Sequence, residues 1–168
     1  MTSLALAMTT RKGVRVARSV TITGTRSVGQ DTALRLDGLF DDYLRPFADA
    51  DAAFYLGGAV GIDSAALDWL AENTQVGLTV VVPCRTADQP AAAVDAITRW
   101  DTRGRLSAVV ELHAQRLGSE AYHARNRWMV DRSGLVIGFP RASEPASGTW
   151  YTVNYGADQG KPTLIVPL

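Results

Sequence analysis

The segment Leu135-Val136-Ile137-Gly138-Phe139 carries no charged or hydrogen-bonding side chain, and it lies between a polar, arginine-bearing stretch and a loop that ends in Ser147-Gly148-Thr149. A run this short and this apolar reads as a strand buried on both faces of a parallel sheet. The stretch before it, from Tyr122, reads as a helix. So does the stretch after Ser147, which stops ahead of a further strand at Thr163 to Val166. Ser147, Gly148 and Thr149 open that second helix, where backbone amides without a helical partner can hold an anion. A ligand that carries phosphate is the expectation.

The rest of the chain repeats the alternation. Ser19 to Thr23, Ala52 to Leu56, Leu78 to Val82 and Ala108 to Leu112 read as further strands. Leu36, Phe40, Tyr43 and Phe47 recur at helical spacing and predict one amphipathic helix from Gly29 to Ala50, with its aromatics in the core. Ala65, Ala66, Trp69 and Leu70 mark a second helix. Pro90 opens a third, which turns Ala93, Ile97 and Trp100 inward and ends at Gly104. Strands alternating with helices of this length predict an α/β, Rossmann-like three-layer sandwich with a mostly parallel sheet of about six or seven strands.

With 168 residues, 46% of them hydrophobic, the chain has room for one such domain and not for two ordinary ones. Residues 18–168 are expected to form it, with residues 1–17 as a frayed or locally docked tail. Lysine plus arginine equals aspartate plus glutamate, 17 of each, so contact with a polyanion must come from a local patch. Arg26, Arg125, Arg127 and Arg132 are candidates for a short basic track. Cys84 is the single cysteine, which excludes an internal disulfide framework and fits a reducing compartment. No apolar run is long enough to span a bilayer, and the short apolar piece at the start precedes Arg11, Lys12 and Arg15, the wrong order for a secretory signal. A cytoplasmic protein without membrane association is expected. His113 and His123 have no cysteine or acidic partner at ligand spacing, so neither a metal nor another cofactor is expected.

Two more loops complete the candidate site. Gly24-Thr25-Arg26 follows the first strand at once; the glycine permits a tight turn above the strand's carboxyl end, where ligands bind in open α/β sheets, and Arg26 brings a cation there. Gly57, Gly58 and Gly61 follow the second strand in a loop whose amides are expected to face outward, with Asp63 or Ser64 placed to cap the next helix. This loop lacks the Lys-Ser/Thr ending of a triphosphatase P-loop, and its glycines do not make GxGxxG spacing. On the helix from Tyr122, Tyr122, Trp128 and Met129 can pack, while Arg125 and Asn126 begin a polar edge aimed at the loops. A guanidinium suits bidentate phosphate binding; the alternative for Arg125 is a salt bridge to a surface carboxylate.

Gly24-Thr25-Arg26, Gly57-x-Ala59-x-Gly61-Ile62-Asp63, Arg125-Asn126-Arg127, and Ser147-Gly148-Thr149 with Thr152 and Gln159-Gly160-Lys161 fall in order on successive elements. Together they resemble the Rossmann domain of the DNA-processing protein A (DprA/Smf) family, from about Ser19 to Pro167. The wider SLOG superfamily also contains the Lonely-Guy phosphoribohydrolases, which cleave nucleoside monophosphates. The resemblance implies phosphate binding at Gly24, Thr25, Arg26, Gly57, Gly58, Gly61, Asp63, Arg125, Asn126, Ser147, Gly148 and Thr149, and a homodimer formed by helices beside the pocket. The chain departs from the DprA pattern at Val60, where a basic residue is usual, and at Leu67, where a histidine is. It departs from the Lonely-Guy pattern at Thr152, where that family requires glutamate.

The expected function is therefore that of a DprA-like binder of nucleotide phosphates or single-stranded DNA, without catalysis of its own. Two other readings share the pocket. One is a sensor that binds a small nucleotide signal and passes it to a partner protein. The other is an enzyme, a nucleoside 5′-monophosphate N-glycosidase, in which Asp63 or Glu144 would supply the carboxylate that stabilises oxocarbenium character or activates water.

Overall fold

In the first strand, β1 (Ser19–Gly24), Val20 and Ile22 point to one face of the sheet and Thr21 and Thr23 to the other, and all four are buried. The computed structural model describes residues 18–142 and 144–168; the tail expected at 1–17 lies outside the described residues. Beside β1 run β2 (Ala53–Gly57), β3 (Gly77–Val82) and β4 (Ala108–Glu111) on one side, and β5 (Leu135–Phe139) and β6 (Thr163–Ile165) on the other. The order across the six-stranded sheet is β4-β3-β2-β1-β5-β6, and every pairing is parallel. β5 is buried along its whole length, as its uninterrupted apolar sequence requires. The α/β Rossmann-like fold expected from the sequence is the fold that forms.

The stretch from Gly29 to Ala50 is not the single helix expected. It forms α1 (Gln30–Ala33), α2 (Leu36–Tyr43) and a 3-10 turn at Arg45–Phe47. Pro46 has no amide to donate and disfavours helix at the residue before it, so α2 ends just ahead of it. Leu44 takes the inward position there, and Tyr43, expected in the core, is 37% exposed.

With α2, the helices α3 (Ile62–Asn73) and α4 (Ala91–Thr102) cover the face that receives Val20 and Ile22. Phe40 stands edge-on to Phe139 at 5.5 Å and tilted to Trp69 at 6.1 Å. Such aromatic pairs contribute about 0.5–1.5 kcal/mol each beyond their burial. The other face is covered by α5 (Ser119–Asp131) and α6 (Gly148–Asp158) over a smaller apolar cluster of Val130, Val136 and Val153. Thr21 meets the Ser133 hydroxyl at 2.5 Å and Ser133 donates to the Met129 carbonyl, so the buried threonine of β1 finds its partner at the end of α5. Lys161 donates to the carbonyls of Val130 and Ser133 and closes the same helix end. These contacts pin α5 across the sheet, with Trp128 edge-on to Tyr55 of β2.

Candidate functional site

From β1 to β4 the chain adds strands in one direction across the sheet; with β5 and β6 it returns to the other side of β1. The connections leaving the carboxyl ends of β1 and β5 therefore diverge, which opens a crevice at the switch point. A cleft of about 530 Å³ lies there. Its floor is the end of β1. Its walls are the Thr25-Arg26-Ser27 turn, the first two turns of α5, and the loop from Glu144 into α6. Gly24, Thr25, Arg26, Asp63, Arg125, Asn126, Ser147, Gly148 and Thr149 all line it, whereas Gly57, Gly58 and Gly61 do not.

At one wall Ser147 caps α6, its hydroxyl accepting from the Trp150 amide at 3.5 Å. The amides of Gly148 and Thr149 precede the helical ladder and have no carbonyl to bond within it. They are available to an anion in the cleft.

The glycine loop supports the cleft from behind. Gly61 has φ 79° and ψ −128°, and a β-carbon there would stand 2.4 Å from the Thr25 carbonyl oxygen and 2.6 Å from that of Arg26. The Ile62 amide donates to the Thr25 carbonyl at 3.0 Å, and the Gly58 amide to that of Val81 at 3.3 Å. The outward-facing amides expected of this loop are thus partly spent on neighbouring backbone, because the loop is pressed against the first turn. Neither Asp63 nor Ser64 caps α3, which starts from Gly61 without a side-chain cap. Ser64 donates instead to the Ala59 carbonyl, and Asp63 borders the cleft.

Gly57 explains how Arg125 is held. A β-carbon on Gly57 would lie 2.0 Å from Arg125 Nη1 and 2.6 Å from Asp63 Oδ2, so only glycine leaves room for the guanidinium over the end of β2. Arg125 is 5% exposed; its Nε donates to Asn126 Oδ1 at 2.7 Å and its Nη1 to the Val81 carbonyl at 3.3 Å. It is an interior cation rather than a surface one. Burial pulls its pKa below the ordinary arginine value, opposed by Asp63 and assisted by Arg26. The exposed guanidinium of Arg26 lies 4.6 Å from the centre of the Tyr122 ring, and that of Arg125 lies 5.8 Å from it. One aromatic ring thus attracts two like charges and offsets part of their repulsion.

Burial pushes the Asp63 carboxyl up to about 7, against the pull of Arg125, a backbone hydrogen bond from Ala59, and Arg26. An acid raised in this way holds its proton more tightly folded than unfolded. Its contribution to stability is complete below about pH 4 and is lost as pH rises to about 7. Asp63→Asn removes this dependence. Urea unfolding at pH 5 and pH 8 should show the difference in stability moving in favour of the variant at the higher pH; a constant difference would show that Asp63 is ionised throughout.

The other arginines are occupied elsewhere. Arg127 donates to Glu120 at 2.7 Å and to the Tyr151 hydroxyl at 2.8 Å, and Arg132 stacks on Trp128 at the far end of α5. The basic track in the cleft consists of Arg26 and Arg125. Tyr122 and His123 also line the cleft, although sequence reasoning treated the first as packing and did not place the second among the phosphate-binding residues. Helical spacing back from Arg125 and Asn126 was the available signal, since residues three apart share a face. Among the described residues no cluster of histidine, cysteine or acidic side chains gathers to hold a metal ion, and no helix is long and apolar enough to cross a membrane.

The protein is thus of the α/β Rossmann-like class, with a cation- and amide-lined cleft at the switch point of its sheet. Its fold is that of a DprA-like Rossmann domain, shared with two solved structures. One is the X-ray structure of DNA processing protein A (DprA) from Streptococcus pneumoniae, 19% identical with a TM-score of 0.66 over 89% of this chain and 50% of that one. The other is DNA processing protein A from Helicobacter pylori, in a structure concerned with its single-stranded DNA binding mode; it is 20% identical with a TM-score of 0.66 over 89% of this chain and 65% of that one. The chain spans half to about two-thirds of the length of these proteins. No protein-family model and no curated protein sequence matches it.

Proposed function

We propose that this chain binds the phosphates of a nucleotide or of single-stranded DNA in the cleft, as a DprA-like binder without catalysis of its own. The observation that carries this reading is the buried guanidinium of Arg125, seated over Gly57 and bordering the same cleft as the free amides of Gly148 and Thr149. A desolvated cation is costly unless an anion answers it, and phosphate matches a guanidinium fork. Gly24, Thr25, Asn126 and Ser147 shape the pocket around that anion. Gly57, Gly58 and Gly61 serve the phosphate indirectly, by seating Arg125 and pressing the two loops together. The single-stranded DNA binding described for the Helicobacter pylori protein, which shares the fold, supports a polymeric ligand. The same reading takes the chain as a cytoplasmic homodimer.

With Arg26 and Arg125 as the cations of the cleft, a short single-stranded oligomer should bind with a log affinity that falls with log salt at a slope of about −1.5, or about two phosphates at −0.7 each. Titrations across a salt series read this directly. Saturable binding of a mononucleotide with no binding of the oligomer even at low salt would remove the polymer binder and leave the nucleotide sensor. The presence of both Asp63 and Glu144 in the cleft favours a second reading, the nucleoside 5′-monophosphate N-glycosidase. Chromatography of nucleoside monophosphates incubated with the protein tests it, and intact substrates would remove it.

A further inference from the structure

His123 borders the cleft, and its ring lies flat on that of Tyr151, with centroids 3.6 Å apart and planes 8° from parallel. Tyr151 is itself parallel to Tyr155 within 6°, at 6.5 Å. The ladder is tied at each tyrosine: Arg127 donates to the Tyr151 hydroxyl at 2.8 Å, and the Tyr155 hydroxyl donates to Asp131 at 2.8 Å. An imidazole has two faces. Tyr151, which does not line the cleft, covers one of them, and His123 nevertheless remains part of the cleft wall. His123 shares the lining of that cleft with Gly148 and Thr149, whose amides mark the phosphate position.

Building on the reading of the cleft as a phosphate site, we propose that His123 is its base-stacking residue: the nucleobase attached to the bound phosphate lies on the free face of the His123 ring, which Tyr151 holds in place from behind. Stacking of this kind accepts any base, since each presents a π-face, and a ring already fixed by its neighbours loses little freedom on binding. The base belongs either to a free nucleotide or to single-stranded DNA, and the chemistry is common to both.

The test compares wild type, His123→Ala and His123→Phe against four probes: thymidine 5′-monophosphate, a short oligothymidylate, the same oligomer with abasic sugars, and inorganic phosphate. His123→Ala should weaken the two base-bearing probes by about 5- to 50-fold and leave the abasic oligomer and inorganic phosphate unchanged. His123→Phe should restore most of the loss, which a role in hydrogen bonding would not predict; a role in folding alone would weaken all four probes alike. The relative affinities of the mononucleotide and the oligomer show which source supplies the base. Equal losses for all four probes on His123→Ala, or no loss for any, would overturn the stacking role. Inorganic phosphate tests the underlying phosphate site on its own, so the two readings fail separately.

Discussion

Arg125→Ala is expected to weaken every phosphate-bearing ligand by about 1.5–3 kcal/mol, the range for hydrogen bonds to a charged group. The residue is tied to Asn126 and to the Val81 carbonyl, so its guanidinium meets the ligand already positioned. Arg125→Lys should recover only part of the loss, because an ammonium cannot reproduce the planar fork. Gly57→Ala is the sharper variant. Its new methyl group would stand 2.0 Å from Arg125 Nη1, so the guanidinium must leave its seat while the arginine remains in the sequence. Calorimetric titration with inorganic phosphate and with an oligonucleotide should show Gly57→Ala approaching Arg125→Ala. Wild-type affinity in both variants would remove Arg125 from the site and with it the proposed function.

The second large effect falls on stability. Gly61→Ala should destabilise the fold by about 4 kcal/mol, combining a backbone strain of about 1–3 kcal/mol with a steric conflict of similar size. The conflict is with backbone, the carbonyls of Thr25 and Arg26, which cannot rotate away as a side chain would. Gly104 supplies the comparison. It has φ 67° but nothing within 4 Å of its would-be β-carbon, so Gly104→Ala should cost only about 1–2 kcal/mol. Urea unfolding of the two variants separates the terms. Equal costs would mean that the contact between the two loops, which forms the back of the cleft, does not constrain Gly61.

Much of this was legible in the sequence. Leu135 to Phe139 declared a buried strand through unbroken apolarity, and each of the six strands lies within a residue or two of its expected place. Small residues directly after β1 and before α6 marked the loops that border the cleft. These signals are local: periodicity and turn chemistry act over a few residues. The break between α2 and the following turn was also local, carried by Pro46, but the regular spacing of Leu36, Phe40, Tyr43 and Phe47 concealed it.

What the sequence by itself determined is the succession of strands, helices and small-residue loops, because each depends on the side chains of its own segment. The tertiary structure alone decided what those loops do. The strand order that sets β5 beside β1 created the cleft. The approach of α5 to the end of β2 turned Gly57 from an amide donor into the seat of Arg125. Burial raised the Asp63 carboxyl, and the packing of α5 on α6 laid His123 on Tyr151. Each of these joins residues distant along the chain, where closeness is fixed by packing and desolvation depends on what else the fold brings near.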